Sequence, residues 1–352
     1  MAAHWSTWPE PWTSEPVRAP HALARPAFEV PDGACDAHMH VFGPVDRYPG
    51  VPNARYSAPK SEIDDYLAMA DALHLRRMVF TQASFYGTDN SYLLHALERV
   101  GKRGRAVVML PQDADAKLID DFTRRGVVGL RLDMFKLAKA GLSSHDIFAE
   151  IAKAAKLAKA AGWHIELYSP GRVIRDLIDR FAEIPVDFSI NHMGYMLASE
   201  GVPESDFRRF TEAVRNERCW VKLSGSYRIS KYDDDPAADE MAKQLVIASP
   251  HRTVWGSDWP HIPICGLDTS ALLNRLAVWS PDAAVRRQIL ADNPARLYRF
   301  LSDALSAATP PQVRPCVCSF RAGCRPTPAS ASRDISPSGR TPHRDRLGVS
   351  RA

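Results

Sequence analysis

The stretch Ala34-Cys35-Asp36-Ala37-His38-Met39-His40-Val41, followed by Phe42-Gly43-Pro44, decides how the rest of the chain is read. It is short and apolar enough to be a buried strand, and it ends in two histidines one residue apart. The period of two along a strand predicts that His38 and His40 share one face, with Ala37 and Met39 on the other. An open doubly wound sheet would carry a glycine-rich phosphate turn directly after its first strand, and Val41-Phe42-Gly43-Pro44 is no such turn. Outward from this strand, similar β-rich runs recur at Arg77 to Thr81, Arg105 to Leu110, Val127 to Arg131, Trp163 to Tyr168, Val186 to Asn191, Cys219 to Ser224 and Thr253 to Gly256. Each is followed by a segment of helical period, among them Ile63 to Leu73, the Ala/Lys-rich His145 to Ala161, and Ala283 to Leu301. Strand and helix repeated in this way predict an α/β protein of the (β/α)8 TIM-barrel class, spanning residues 29–305.

The flanks read differently. Residues 1–28 are an irregular arm that Pro and Trp interrupt repeatedly, with no apolar run of signal-peptide length. Residues 306–352 form a Pro/Arg/Ser-rich tail of a composition that does not bury a core, and it is expected to be disordered. The tail also accounts for the basic pI near 8.7. From Ala308 onward eight arginines stand against Asp334 and Asp345, which leaves a body of about −2 in a chain whose formal charge is +4. The basic balance therefore gives no reason to expect nucleic acid or a membrane as partner. No stretch approaches the roughly 20 apolar residues of a membrane span. Cys35, Cys219 and Cys265 are expected to be buried thiols, and Cys316-Val317-Cys318 is too tightly spaced for a zinc knuckle. A cytoplasmic protein is expected.

In a barrel the reacting groups sit at the C-terminal ends of the strands, so the polar residues there are the candidates. The first strand supplies His38 and His40, the sixth ends Asn191-His192-Met193-Gly194, and the eighth ends Gly256-Ser257-Asp258-Trp259-Pro260-His261. A carboxylate facing three imidazoles across the mouth suits Asp258 to take a proton from water. The imidazoles, or a metal that they hold, would polarise the bond under attack. As metal ligands His38, His40, His192 and Asp258 would suit one divalent ion, zinc most readily. The same groups also serve without a metal if the imidazoles donate to a developing oxyanion. His164, two layers lower on the fifth strand, is expected to be structural.

Cys35-Asp36-Ala37-His38-Met39-His40-Val41-Phe42-Gly43-Pro44, Asn191-His192-Met193-Gly194, Val221-Lys222-Leu223-Ser224-Gly225, Val254 to His261 and Asp292-Asn293-Pro294 occur in one order over about residues 30–302. Together they resemble the amidohydrolase-related family of the amidohydrolase superfamily, in the branch of 2-pyrone-4,6-dicarboxylate lactonases. The resemblance implies a barrel that hydrolyses an acidic lactone of aromatic-compound degradation without an obligatory metal. It implies Asp258 as base, His38, His40 and His192 as polarising groups, and Arg131, Tyr168, Arg228 and Ser84 as substrate-binding residues. An Arg fork suits a carboxylate.

Two departures bear on the substrate. Where that pattern has an arginine after His-Met-Gly, this chain has Tyr195, and where it has a second arginine beyond the fourth strand, it has Lys136 or Leu137 nearby; Tyr195, through its hydroxyl, and Lys136 are the substrate-binding candidates in their place. Asp133 would also weaken anion binding by Arg131 if it faced the mouth. The reaction class is therefore better specified than the lactone. The alternatives are a zinc-dependent decarboxylase or hydratase of the same superfamily, acting on a small aromatic or unsaturated acid, and a barrel that only binds. The oligomeric state is not specified.

Overall fold

The computed structural model describes residues 24–196, 202–216, 218–229, 236–262 and 267–300. The arm before residue 24, the tail from residue 301, and Cys265 with the tail cysteines lie outside them. Eight strands, β1 (Cys35–Met39), β2 (Arg77–Thr81), β3 (Gly104–Val108), β4 (Val127–Asp133), β5 (His164–Tyr168), β6 (Phe188–Ile190), β7 (Cys219–Leu223) and β8 (Thr253–Trp255), pair in parallel and in chain order. The seam between the last and the first is closed by backbone bonds, Asp258 N–H to His38 O and His40 N–H to Trp259 O, both 2.8 Å. All the predicted strands are present, and the barrel expectation holds.

Helices alternate with the strands: α1 (Ile63–Ala72), α2 (Ser91–Val100), α3 (Ala116–Arg124), α4 (Met134–Lys139), α5 (Ser144–Ala161), α6 (Gly171–Leu177), α7 (Glu204–Asn216), α8 (Ser226–Ile229), α9 (Pro236–Ala248), α10 (Thr269–Trp279), α11 (Ala283–Arg287) and α12 (Asn293–Leu297). The longest, α5, begins where Ser143 and Asp146 cap one another and ends at Gly162, whose φ of 70° a side chain disfavours. The predicted single helix over 283–301 is broken instead into α11, a wider turn over Gln288–Asp292, and α12, in which Pro294 occupies the first turn. The short α4 and α8, directly after β4 and β7, were not anticipated. The described end of the arm runs along α10, where Ala24 N–H donates to Ser270 Oγ at 3.0 Å and Ala27 N–H to Asn274 Oδ1 at 2.6 Å.

Most strand residues are buried, as a sheet covered on both faces requires. The outward faces pack on the helices, with Met39, Met78, Phe80, Ile165, Leu167, Val221 and Leu223 in one large cluster. Inside the barrel, Ala37, Val79, Val107, Trp220 and Val254 make a smaller apolar plug, with Tyr298 and Phe300 beside it. The side predicted for Ala37 is therefore corrected. The register of β1 against β2 shifts between Asp36 and Met39, so Ala37 and His38 both face inward while Met39 faces out. Asp36 Oδ1 accepts the His38 N–H at 3.1 Å and the Ser257 N–H at 2.9 Å, and Oδ2 accepts the Tyr66 hydroxyl at 3.1 Å. This carboxylate ties the irregular strand to the barrel seam. Cys35 and Cys219 are buried and not disulfide-bonded. Among the described residues no helix is long and apolar enough to cross a membrane.

Candidate active site

The inward face of β5 displays the site in section. His164 lies lowest, with Nδ1 2.9 Å from Val128 O and its ring against Tyr298. It takes no part in the cluster at the mouth. Glu166, one layer up, is fully buried and meets Lys222 through Oε2, Arg131 Nη1 at 3.1 Å and Asn191 Nδ2 at 2.9 Å through Oε1. Tyr168, at the top, lies under the Arg131 guanidinium and edge-on to His192, with ring centroids 5.9 Å apart. The barrel thus stacks an apolar plug, an ionic layer and a reactive layer.

In the reactive layer the imidazole Nε2 atoms of His40, His38 and His192 lie 3.5, 3.6 and 4.0 Å from a single oxygen, Asp258 Oδ1. That oxygen has no hydrogen-bond partner among the described residues, and neither has His38 Nε2. The other oxygen, Oδ2, is occupied by the Tyr227 hydroxyl at 2.5 Å and by Arg228 Nε. Burial pushes the Asp258 carboxyl up, yet Arg228 together with the imidazoles of His192, His40 and His38 outweighs it and holds the group well below the usual carboxylate range. Burial lowers all three imidazoles, His192 to about 3. An ionised Asp258 therefore faces three neutral rings.

Strained backbone holds this arrangement. Asp258 has φ 57°, and His192, Met193 and Tyr195 have φ 52°, 52° and 53° at the end of β6, a region side chains seldom occupy. Two glycines make room. A Cβ at Gly225, itself at φ +60°, would stand 2.6 Å from His192 Nδ1, and one at Gly256 would stand 2.6 Å from His38 Cβ.

The remaining candidates divide. Arg131 is buried and committed through Nη1 to Glu166, and Arg228 is placed on Asp258, so both reach the reactive layer already paired. Tyr195 is 1% exposed among Phe135, Tyr168 and His192, which makes it a wall of the site and not a rim hydroxyl. Ser84 is partly exposed, with Oγ 3.5 Å from the Tyr56 hydroxyl. Lys136 is exposed on α4, and only its backbone N–H, donated to Asp133 Oδ1, ties it to the site's edge. Asp133, the acidic group close to Arg131, is met at Oδ2 by Arg55 at 2.6 Å.

Glu166, Tyr227 and Arg55 were not singled out from the sequence, and Lys222 and Asn191 stood within quoted motifs without a role of their own. A lysine on an inward position of β7 and a glutamate between His164 and Tyr168 are costly enough to have been a signal. Arg55 lies on an irregular segment and carried none.

Side-chain atoms of His38, His192 and Asp258 fall within 4.8 Å of one another, which is spacing for one metal ion. The protons at His38 do not fit that role. Its Nδ1 lies 3.2 Å from Lys222 Nζ; burial lowers this amine, but its pair with the ionised Glu166 opposes the shift and favours an ammonium, which has no acceptor to offer. A ring that accepts at Nδ1 carries its own proton on Nε2 and presents an N–H, not a lone pair, to the mouth.

A family model described as amidohydrolase matches residues 35–300. The chain is similar to the 4-sulfomuconolactone hydrolase of Rhizobium radiobacter, 32% identical over 80% of this chain and 96% of that one. It is also similar to the 2-pyrone-4,6-dicarboxylate hydrolase of Comamonas testosteroni, 29% identical over 78% of this chain and 93% of that one. A solved structure from Agrobacterium tumefaciens superposes with a TM-score of 0.68 at 25% identity, covering 79% of this chain and 99% of that one. With its barrel, its motifs and this match over most of its length, the chain belongs to the amidohydrolase family.

Proposed function

We propose that the protein hydrolyses a lactone carrying at least one acidic group, by attack of water activated by Asp258 and without an obligatory metal. The observation that carries this reading is Asp258 Oδ1, a buried and unpartnered carboxylate oxygen faced by three imidazole nitrogens. The names of the two relatives support a lactone bearing a sulfonate or carboxylates. Arg131 Nε, buried beside Tyr168 and without a hydrogen-bond partner among the described residues, supports an anionic group on the substrate.

Hydrogen-bond partners divide the labour among the rings. His40 Nδ1 lies 2.7 Å from the Thr81 carbonyl, so Nδ1 donates and Nε2 faces the mouth as an acceptor. A water between His40 Nε2 and Asp258 Oδ1 gives one hydrogen to each and directs a lone pair at the lactone carbonyl. His38 Nε2–H donates to the carbonyl oxygen as charge develops there. This revises the role expected for His40, from polarising the carbonyl to holding the nucleophile. Asp258 takes the water's proton as the C–O bond forms and returns it to the ring oxygen as the ester bond breaks, leaving an open-chain carboxylic acid. Arg131 and Tyr168 line the wall on which the acidic group is held.

Burial lowers every ring from its ordinary pH 6.5, His38 and His192 well below it, and Asp258 stays ionised well below pH 3.8. A group with a depressed pKa keeps its basic form until the pH falls to that value. The profile of kcat/KM is therefore expected to be flat from about pH 6.5 to 8, with no limb near 6.5. A limb near pH 6.5 in a steady-state pH series would contradict the neutral-histidine arrangement.

The convergence of His38, His192 and Asp258 is what favours a zinc-dependent decarboxylase or hydratase, and the proton on His38 Nε2 opposes it. Hydrolysis in oxygen-18 water separates the readings. Lactone opening places the label in a new carboxylate of the product, whereas release of carbon dioxide, or label in a new hydroxyl on a carbon of a double bond that water has saturated, would support the alternative.

A further inference from the structure

Lys222 is unusual in that its whole length is buried inside the barrel, and its ammonium lies in reach of three acceptors. They are Ala37 O at 2.9 Å, Glu166 Oε2, and His38 Nδ1 at 3.2 Å. An ammonium has three N–H groups, and each is matched to one of these. The first two acceptors are a carbonyl and a carboxylate, neither of which donates, so the third hydrogen points to His38. We infer that Lys222 is a positioning residue, which fixes His38 as an Nε2–H donor toward the substrate and so keeps the site from adopting the ligand set of a metal centre.

The competing arrangement is excluded by what surrounds the ring. For His38 to offer a lone pair from Nε2, its proton would have to sit on Nδ1 and find an acceptor there. Glu166 Oε1 is 3.7 Å away, beyond hydrogen-bond length, and already takes Arg131 and Asn191. The Thr81 hydroxyl, 3.5 Å from Nδ1, can donate as well as accept, but it does not displace the ammonium, which can only donate. Both ends of the lysine are held: the Nζ by Ala37 at the β1 irregularity, and the strand by Cα pairing of Lys222 with Val254. The inward-facing Ala37 leaves its carbonyl within reach of Lys222, so the irregularity of β1 and the lysine of β7 belong to one device. Glu166 and Arg131 extend it sideways, with Asn191 next to His192 completing the layer beneath the three rings.

This inference rests on the proposed function only in giving the Nε2–H a substrate to act on, and its test does not depend on turnover. Nitrogen-15 histidine labelling of the full-length protein, with His38 assigned from His38→Gln, reports which ring nitrogen carries the proton. The wild type is expected to show His38 as the Nε2–H tautomer. In Lys222→Met that pattern is expected to be lost or mixed. Zinc titrated into Lys222→Met by calorimetry is expected to bind at one ion per chain, with at least tenfold weaker binding to the wild type. An Nδ1–H tautomer in the wild type overturns the inference, and this outcome needs no variant to fold. An unchanged Nε2–H pattern in folded Lys222→Met also overturns it, since Thr81 alone would then suffice. Absence of lactone hydrolysis in the wild type, with the tautomer as expected, would instead overturn the functional reading and leave the assignment of Lys222 standing.

Discussion

Asp258→Asn is expected to lower kcat/KM for lactone hydrolysis by about 10³-fold, the range in which positioned general bases act. The amide keeps the volume and hydrogen-bonding reach of the carboxylate, but it cannot take the proton of a water held between Oδ1 and His40 Nε2. The loss should appear in kcat with little change in KM, since the group acts on water and not on the bound acid. The substitution also strips Arg228 of the buried charge it faces, so a lower melting temperature is expected, with the circular dichroism of the barrel retained. Activity within tenfold of the wild type would remove Asp258 from the role of base. A scaffold barrel would be indifferent in activity altogether.

Glu166→Gln is expected to have the largest effect on stability. Burial pushes the Glu166 carboxyl up, but Lys222 and Arg131 outweigh it and hold it down at about 2. Both cations are buried beside it, so removing its charge leaves them uncompensated, at a cost of about 3–5 kcal/mol. The sign with pH follows from the depressed value. The stabilisation by Glu166 is complete above the ordinary carboxylate pKa and is lost as the pH falls from about 4.5 toward 2. Urea denaturation should therefore show a large difference between wild type and Glu166→Gln at pH 7 that narrows at pH 3. Equal midpoints at pH 7 would mean that the ionic layer contributes nothing to the fold. Replacing the whole layer by apolar residues is a different experiment, because a buried pair is weak evidence for net stability.

The barrel was legible because each of its strands is a short, strongly patterned run, and because no phosphate turn follows the first. The reactive quartet was legible for a related reason: His38, His40, His192 and Asp258 all fall at the C-terminal ends of their strands. Side-chain partners were less so. Nothing in the period of β1 announces the irregularity that turns Ala37 and His38 inward together, since it depends on Asp36 capturing the His38 N–H and on the seam with Ser257. Arg131 and Arg228 were legible as cations near the mouth but not as partners of Glu166 and Asp258, which lie 35 and 30 residues away in sequence. Arg55 sits 78 residues from Asp133, on a segment without regular structure. The proton inventory at His38 is less legible still, since it rests on a lysine 184 residues distant.

The division of roles also explains how one ligand-like set of residues serves two chemistries in principle. Three imidazoles and a carboxylate hold a metal when the rings present lone pairs, and they hold a water and a carbonyl when one ring presents an N–H. The difference lies one layer deeper, in what faces Nδ1. His40 and His38 sit on the same strand end, yet a carbonyl faces one Nδ1 and an ammonium the other. Neighbouring rings are thereby set to opposite tasks.

The most direct test is turnover of 2-pyrone-4,6-dicarboxylate and of singly charged muconolactone-type lactones by chelator-treated, metal-analysed enzyme, with a zinc-loaded sample in parallel. Hydrolysis of at least one acidic lactone by the metal-free enzyme, at a rate that zinc does not raise, is the result expected here. Activity that appears only with zinc, or none on any lactone, would contradict it.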